Sequence, residues 1–185
     1  MQAEIITIGD ELLIGQVVDT NSAWLGRTLG EDGIKVTQIT SIQDDADQIS
    51  RTVNEALARV SIVLVTGGLG PTRDDITKHT LAELFGMRLV RDEQVYETIR
   101  RQLAVRGIAF NELNRGQALV PDGCTVLPNR NGTAPGMWFE RGGKILVSMP
   151  GVPFEMKALV TDEVLPRLRT HFSLHANVHR TAITF

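Results

Sequence analysis

The chain has 185 residues, 42% hydrophobic and 22% charged, with a net charge of -3. That length suits one domain with a sizeable core, and the charge balance leaves no general basic footprint for nucleic acid. A single cysteine, Cys124, excludes an intrachain disulfide and a zinc site built on paired cysteines, which fits a reducing compartment. The N-terminal MQAEIITIGDELLIG lacks the basic lead of a signal peptide, and no window approaches the roughly 18 apolar residues of a membrane span. The expectation is a cytoplasmic protein that engages neither nucleic acid nor membrane.

Ala3 to Ile8 is a short apolar run ended by Gly9-Asp10, the pattern of a buried strand. Thr20 or Asn21 is placed to cap a helix carrying Trp24, Leu25, Thr28 and Leu29 on one side, ended near Gly33. Ile34 to Ile42 reads as a second strand. Asp44 or Asp45 then caps a helix with Ile49, Val53, Leu57 and Val60 at helical spacing. Ile62 to Val65 is a third strand, apolar on both faces. TGGLGPTRDDIT follows it, and then a helix to about Phe85 with Gly86 as its stop. Asp92 to Val105 reads as a helix, and Asn111 to Leu119 as a short one. Gly136 to Glu140 and Lys144 to Met149 read as strands joined at Arg141-Gly142-Gly143. Pro153 to Leu168 is the last helix, with Pro166 placed to kink or end it. Short strands alternating with helices predict an α/β fold with a parallel sheet covered on both faces. A ligand is then expected outside the carboxyl ends of the strands. The domain is placed at residues 1–170, with 171–185 a tail or the start of a linker.

Three of those strand ends carry chemistry. In the loop after the third strand, glycines would let backbone N–H groups approach a phosphate. Gly67, Gly68, Gly70 and Thr72 are therefore candidate phosphate contacts. The loop is neither a Walker A motif nor G-x-G-x-x-G, and a plain turn capped by Asp74 or Asp75 is an equal reading. Paired carboxylates beside a phosphate loop make sense when a hard divalent cation bridges them to phosphate oxygens. Asp10, Asp74 and Asp75 are the candidate metal ligands, and Asp44-Asp45 can reach the same edge.

Two more glycine-rich segments follow. PNRNGTAPGMW offers Gly132, Thr133, Ala134 and Pro135, against the reading of a surface turn. SMPGVPFEM offers Gly151, Pro153 and Glu155, although an acid in a first helical turn is favourable by default. Arg115 and Gln117, in NELNRGQALVP, read as a solvated helix face or as contacts to a phosphate or base. His171, His175 and His179 recur every fourth residue, but no Cys or acidic partner completes a metal set.

Five stretches occur in order: GDELLIGQVVDTNSAWL, TGGLGPTRDDITKHTLAELFG, NRGQALVPDG, PNRNGTAPGMW and MPGVPFEMK. Together they resemble the N-terminal domain of the competence-damage-inducible protein A (CinA) family. That domain is itself similar to the molybdopterin-binding domain of molybdenum-cofactor biosynthesis proteins such as MoaB and MogA. The resemblance implies a three-layer α/β/α sandwich with a mostly parallel central sheet. It implies a pyrophosphatase that splits ADP-ribose into AMP and ribose 5-phosphate, using a divalent ion (Mg, Mn or Co) and potassium. The alternatives are molybdopterin binding with adenylylation, and a non-catalytic nucleotide-binding module. Asp10, Asp44 and Asp75 look like the acids that serve the reaction. Thr20 and Asn21, in the first stretch, join the substrate-facing residues, as do the loops Gly132 to Gly136 and Pro150 to Glu155. One departure is Gly116, where the family commonly has a basic residue. Relatives are also expected to form dimers or trimers, and usually carry a second, amidohydrolase domain. The chain stops at Phe185, before such a domain could exist, so the amidohydrolase domain is expected to be absent and deamidation of a mononucleotide is not expected of this chain.

Overall fold

The computed structural model describes residues 1–69 and 76–174. Six strands form the central sheet: β1 (Gln2–Ile8), β2 (Lys35–Ile42), β3 (Ile62–Thr66), β6 (Thr125–Leu127), β7 (Gly136–Arg141) and β8 (Lys144–Met149). Their order is β2-β1-β3-β8-β7-β6. Pairing is parallel from β2 through β8 and antiparallel on either side of β7, so only β7 runs against the rest. The sheet is thus mixed but mostly parallel. β7 reverses because the two-residue connection Gly142-Gly143 is a hairpin turn, with φ of 60° at Gly142 and 74° at Gly143. A parallel pair would need a long crossover there.

Strand side chains alternate between two helical layers. Ala3 and Ile5 of β1, with Ile62 and Leu64 of β3, pack against Leu25 and Leu29 of α2 (Thr20–Glu31). Met156 and Leu159 of α7 (Pro153–Leu159) join the same cluster. Ile6, Ile8, Val63 and Val65 face the other way, against Ile49, Val53 and Leu57 of α3 (Ala46–Arg59) and Leu81 of α4 (Ile76–Leu84). Helices on both faces explain why β3 is buried at every position. One charge enters the sheet. Glu4 of β1, 3% exposed, receives Nε and Nη2 of Arg59 at 2.8 Å each, which satisfies the carboxylate in bidentate fashion.

Several expectations are corrected. Asp19, not Thr20 or Asn21, caps α2, its carboxylate accepting from Ser22 N at 2.9 Å. Asp45 caps α3 through Gln48 N at 2.9 Å, so Asp44 is not the cap. α1 (Asp10–Leu13), β4 (Leu89–Arg91) and β5 (Leu119–Pro121) are additional elements, too short to show a period. β4 and β5 form their own antiparallel ribbon, which takes Leu119 out of the expected helix. That helix shortens to α6 (Glu112–Gln117), closed by an Asn111–Asn114 capping box. α5 (Glu93–Val105) packs Ile99 and Leu103 against Ala118. The last helix does not stop at Pro166. α7 continues through a π-helical turn, Val160–Val164, into α8 (Leu165–His171). Pro166 offers no N–H to the carbonyl four residues back, and its ring presses on that carbonyl. The wider turn just before it absorbs the conflict.

Candidate functional site

β2 and β3 lie on opposite sides of β1, so the strand order reverses between β1 and β3. In open α/β sheets a crevice forms at the carboxyl ends of strands at such a point. Here Gly67, just past β3, has φ 107°, and a Cβ on it would stand 2.0 Å from the Ile8 carbonyl oxygen. A Cβ on Gly151, just past β8, would stand 3.2 Å from Gly67 Cα. Only glycine lets the three strand ends close up this far. Gly67 N–H donates to Met149 O at 3.1 Å, which ties the ends of β3 and β8.

Asn21 locks α2 onto this junction. Its Nδ2 donates to Gly151 O at 2.7 Å and reaches Thr66 Oγ1 at 3.4 Å, while Thr66 Oγ1 donates to Pro150 O at 2.9 Å. A carbonyl only accepts, so the amide nitrogen must face Gly151 and the oxygen must face elsewhere. That oxygen, Oδ1, is buried without a hydrogen-bond partner. The cleft beside it has a volume of about 110 Å³, and its walls include Glu11, Asp19, Thr20, Asn21, Gly67 and Pro153. Among the described residues two carboxylates line it and no Lys or Arg does.

Asp44 stands next door. Thr77 Oγ1, fully buried, donates to Asp44 Oδ1 at 3.5 Å, and a Cβ on Gly68 would lie 2.0 Å from that hydroxyl and 3.4 Å from the carboxylate oxygen. A second cluster forms under the 128–135 loop. Asn129 Oδ1 accepts from the N–H groups of Asn131 and Gly132 at 3.0 Å each. Its Nδ2 donates to Ala134 O at 2.9 Å and Glu155 Oε2 at 2.7 Å. The Glu155 carboxylate fills the space where a Gly132 side chain would go, 2.0 Å from an ideal Cβ.

A family described as "Probable molybdopterin binding domain" matches residues 4–170. A CinA-like protein of Cytophaga hutchinsonii is 48% identical over 182 residues, covering 98% of this chain and 44% of that protein. The structure of CinA, of unknown function, from Thermoplasma acidophilum superposes with a TM-score of 0.80 at 37% identity, over 86% of this chain and 94% of that one. The chain belongs to the CinA-like family of molybdopterin-binding domains. It spans about 44% of the length of two curated CinA-like relatives that it matches. The molybdopterin biosynthesis enzyme MoaB of Thermus thermophilus shares the fold, with a TM-score of 0.62 at 18% identity over 95% of this chain and 99% of that one.

In this CinA-like domain the candidate residues sort by place. Thr20, Asn21, Gly67, Gly151 and Pro153 line the one cleft. Asp10 opens α1 beside Glu11, itself a wall of that cleft, and Gly68 with Asp44 adjoins it. Gly132, Thr133, Ala134, Pro135 and Glu155 belong to the loop cluster. Arg115 lies apart, exposed on α6 and paired with Glu112 at 2.7 Å. Gln117, two residues on, is only 3% exposed, and both its Nε2 and Oε1 are buried without a partner. Beside it Lys78 Nζ donates to Gly116 O at 3.0 Å, so a buried cation from α4 stands where position 116 lacks one. Gly70, Thr72, Asp74 and Asp75 lie outside the described residues, as do His175 and His179. His171 faces Glu140 at 4.0 Å. Among the described residues no three His, Cys, Asp or Glu side chains converge as a metal site, and no helix is long and apolar enough to cross a membrane. Burial pushes the Cys124 thiol up to about 11, which suits a packing residue and not a nucleophile. Thr77, Lys78, Glu11 and Asn129 were not singled out by sequence. Of these, Asn129 carried a signal: Asn two residues before Asn131-Gly132 is an Asx-turn pattern.

Proposed function

We propose that the carboxyl edge of the sheet binds the diphosphate of a nucleotide and hydrolyses it with a divalent cation, ADP-ribose giving AMP and ribose 5-phosphate. The observation that carries this reading is the charge of the cleft. It is built at the switch point, yet among the described residues its walls hold Glu11 and Asp19 and no Lys or Arg, so a diphosphate calls for a companion cation. The donor chemistry fits such an ion. Asp10, the unpartnered Asn21 Oδ1 and, by sequence, Asp74 and Asp75 are all hard oxygens of the kind Mg²⁺ or Mn²⁺ takes. When bound, the cation supplies charge neutralisation on the phosphates and acidifies a water.

The chain's own residues do the rest. Gly67 gives its N–H to Met149 O, so anion recognition by backbone amides would begin at Gly68 and draw on Gly70 and Thr72. Asp44, close to Gly68, would accept the proton of the attacking water. Thr77 holds Asp44 in orientation. Potassium would serve as a second counter-ion. Dimers or trimers are the expected assembly, and the cytoplasm the expected compartment.

A second reading, molybdopterin binding with adenylylation, is favoured by the family match over residues 4–170. Chromatography of reaction products separates the two. With Mg²⁺, Mn²⁺ or Co²⁺, the protein releases AMP and ribose 5-phosphate from ADP-ribose, and Asp75→Asn slows this strongly with the fold intact. Formation of an adenylylated pterin from ATP, with ADP-ribose, FAD and NADH all left uncut, selects the second reading instead.

A further inference from the structure

β2 is the outermost strand on its side of the sheet, so one of its edges has no neighbouring strand among the described residues. It is eight residues long, KVTQITSI, with no proline and one charge, Lys35, at its first position. Five of the eight residues are exposed, among them Ile39 at 48%. Proteins usually blunt such an edge by keeping it short or charged, or by breaking it with proline or a bulge. Here a bulge leaves Thr37 outside the ladder to β1, but the ladder is regular from Gln38 to Ile42. Gly9 N–H donates to Ile42 O, so Ile42 turns its backbone toward β1. Backbone groups alternate in direction along a parallel strand, so Gln38 and Thr40 share that direction. Ile39 and Ser41 then turn their N–H and C=O groups to the open edge. The charges run along the same strand. Lys35 stands exposed at one end, and Asp45 and Asp47 stand exposed just past the other. A strand with its cation at one end and acids beyond the other is complementary to itself run backwards.

We infer that this edge is the contact for a second copy of the chain: β2 pairs antiparallel with β2 of that copy across a two-fold axis at Thr40. The two six-stranded sheets then continue into one another. In this register Ile39 lies opposite Ser41 of the second copy, and Ser41 opposite its Ile39. These are the residues whose backbone groups are turned outward, so each pair exchanges two N–H···O bonds. Thr40 meets Thr40, a favourable cross-strand pair. Position 35 lies opposite position 45, which sets Lys35 against the acidic turn of Asp45 and Asp47 at both ends of the contact. A patch that binds itself across a two-fold axis closes on two copies, so the assembly is a dimer and not a trimer. The regular ladder is short, so the dimer is weak and dissociates on dilution. This inference is independent of the reading of the cleft.

The test combines sedimentation velocity over a dilution series with hydrogen exchange read at single amides, on the full chain. Three variants are compared with the parent protein after thermal melts confirm folding. Ile39→Lys sets two lysines diagonally across the axis, and Ser41→Pro removes an outward donor without touching the backbone ladder to β1. Lys35→Glu turns the end contacts repulsive. The parent protein is a dimer when concentrated and a monomer when dilute. The Ile39 and Ser41 amides are protected in the dimer and exchange faster in the monomer, while the Thr40 and Ile42 amides, turned toward β1, keep their protection. Ile39→Lys and Ser41→Pro raise the dissociation constant by about tenfold or more, and Lys35→Glu by about threefold or more. A parent protein that stays monomeric throughout the series, or that forms a trimer, overturns the inference. So does a dimer whose Ile39 and Ser41 amides gain no protection, or one that any folded variant leaves as tight as before.

Discussion

Gly67 shows how tightly single residues are specified at the carboxyl edge. Its φ of 107° disfavours any side chain, and the Ile8 carbonyl occupies the space 2.0 Å from where a Cβ would be. Gly67→Ala must therefore push β1 and β3 apart. A loss of at least about 1–3 kcal/mol in urea unfolding is expected from backbone strain alone, together with lost nucleotide binding. An unchanged midpoint would mean that the strand ends do not meet as described. Cys124 gives a prediction in pH. Burial raises its thiol to about 11, above the ordinary value near 8.5 in an unfolded chain. The unfolded state then releases the proton first as pH rises. This contribution to stability is complete below about pH 8.5 and is lost progressively up to about 11. Chemical denaturation between those limits should show a smaller fall for Cys124→Ala than for the parent protein; equal slopes would contradict it.

At the scale of elements, one side-chain amide braces the 128–135 loop from within. Asn129 is 6% exposed and makes four hydrogen bonds, two through Oδ1 and two through Nδ2, the full capacity of its nitrogen. Asn129→Ala strands the Asn131 and Gly132 amides and the Glu155 carboxylate. A loss of about 2–4 kcal/mol is expected, with faster hydrogen exchange confined to the loop. Stability within about 0.5 kcal/mol of the parent protein would show that water replaces the side chain without penalty. The final helix makes a contrasting point. Pro166 sits inside a helical run that continues from Pro153 to His171, because the π-helical turn Val160–Val164 relieves the clash locally. Propensity alone reads such a proline as an end. Burial of Val160, Val164 and Leu168 against the sheet keeps the helix going.

At the scale of the molecule, periodicity made the central layers legible. The strands β1, β2, β3, β7 and β8 and the long helices follow from alternating or helical runs of apolar residues. Three-residue strands and the four-residue α1 escaped, because elements that short complete no period. The reversal of β7 was implicit in its hairpin turn. Candidate residues at the carboxyl edge, such as Asn21, Gly67 and Gly151, were legible through motif and turn chemistry. Thr77 and Lys78 were not, because their roles come from what α4 is packed against, which no local pattern encodes. The acidic cleft at the switch point remains the centre of the functional reading, and it makes cation dependence the sharpest test. The measurement is the initial rate of AMP release from ADP-ribose by the parent protein and Asp10→Asn, with saturating Mg²⁺ and after chelation. The rate should fall to background on chelation, return when the ion is restored, and drop by about tenfold or more in Asp10→Asn. No release of AMP, or release that survives chelation unchanged, would contradict the account.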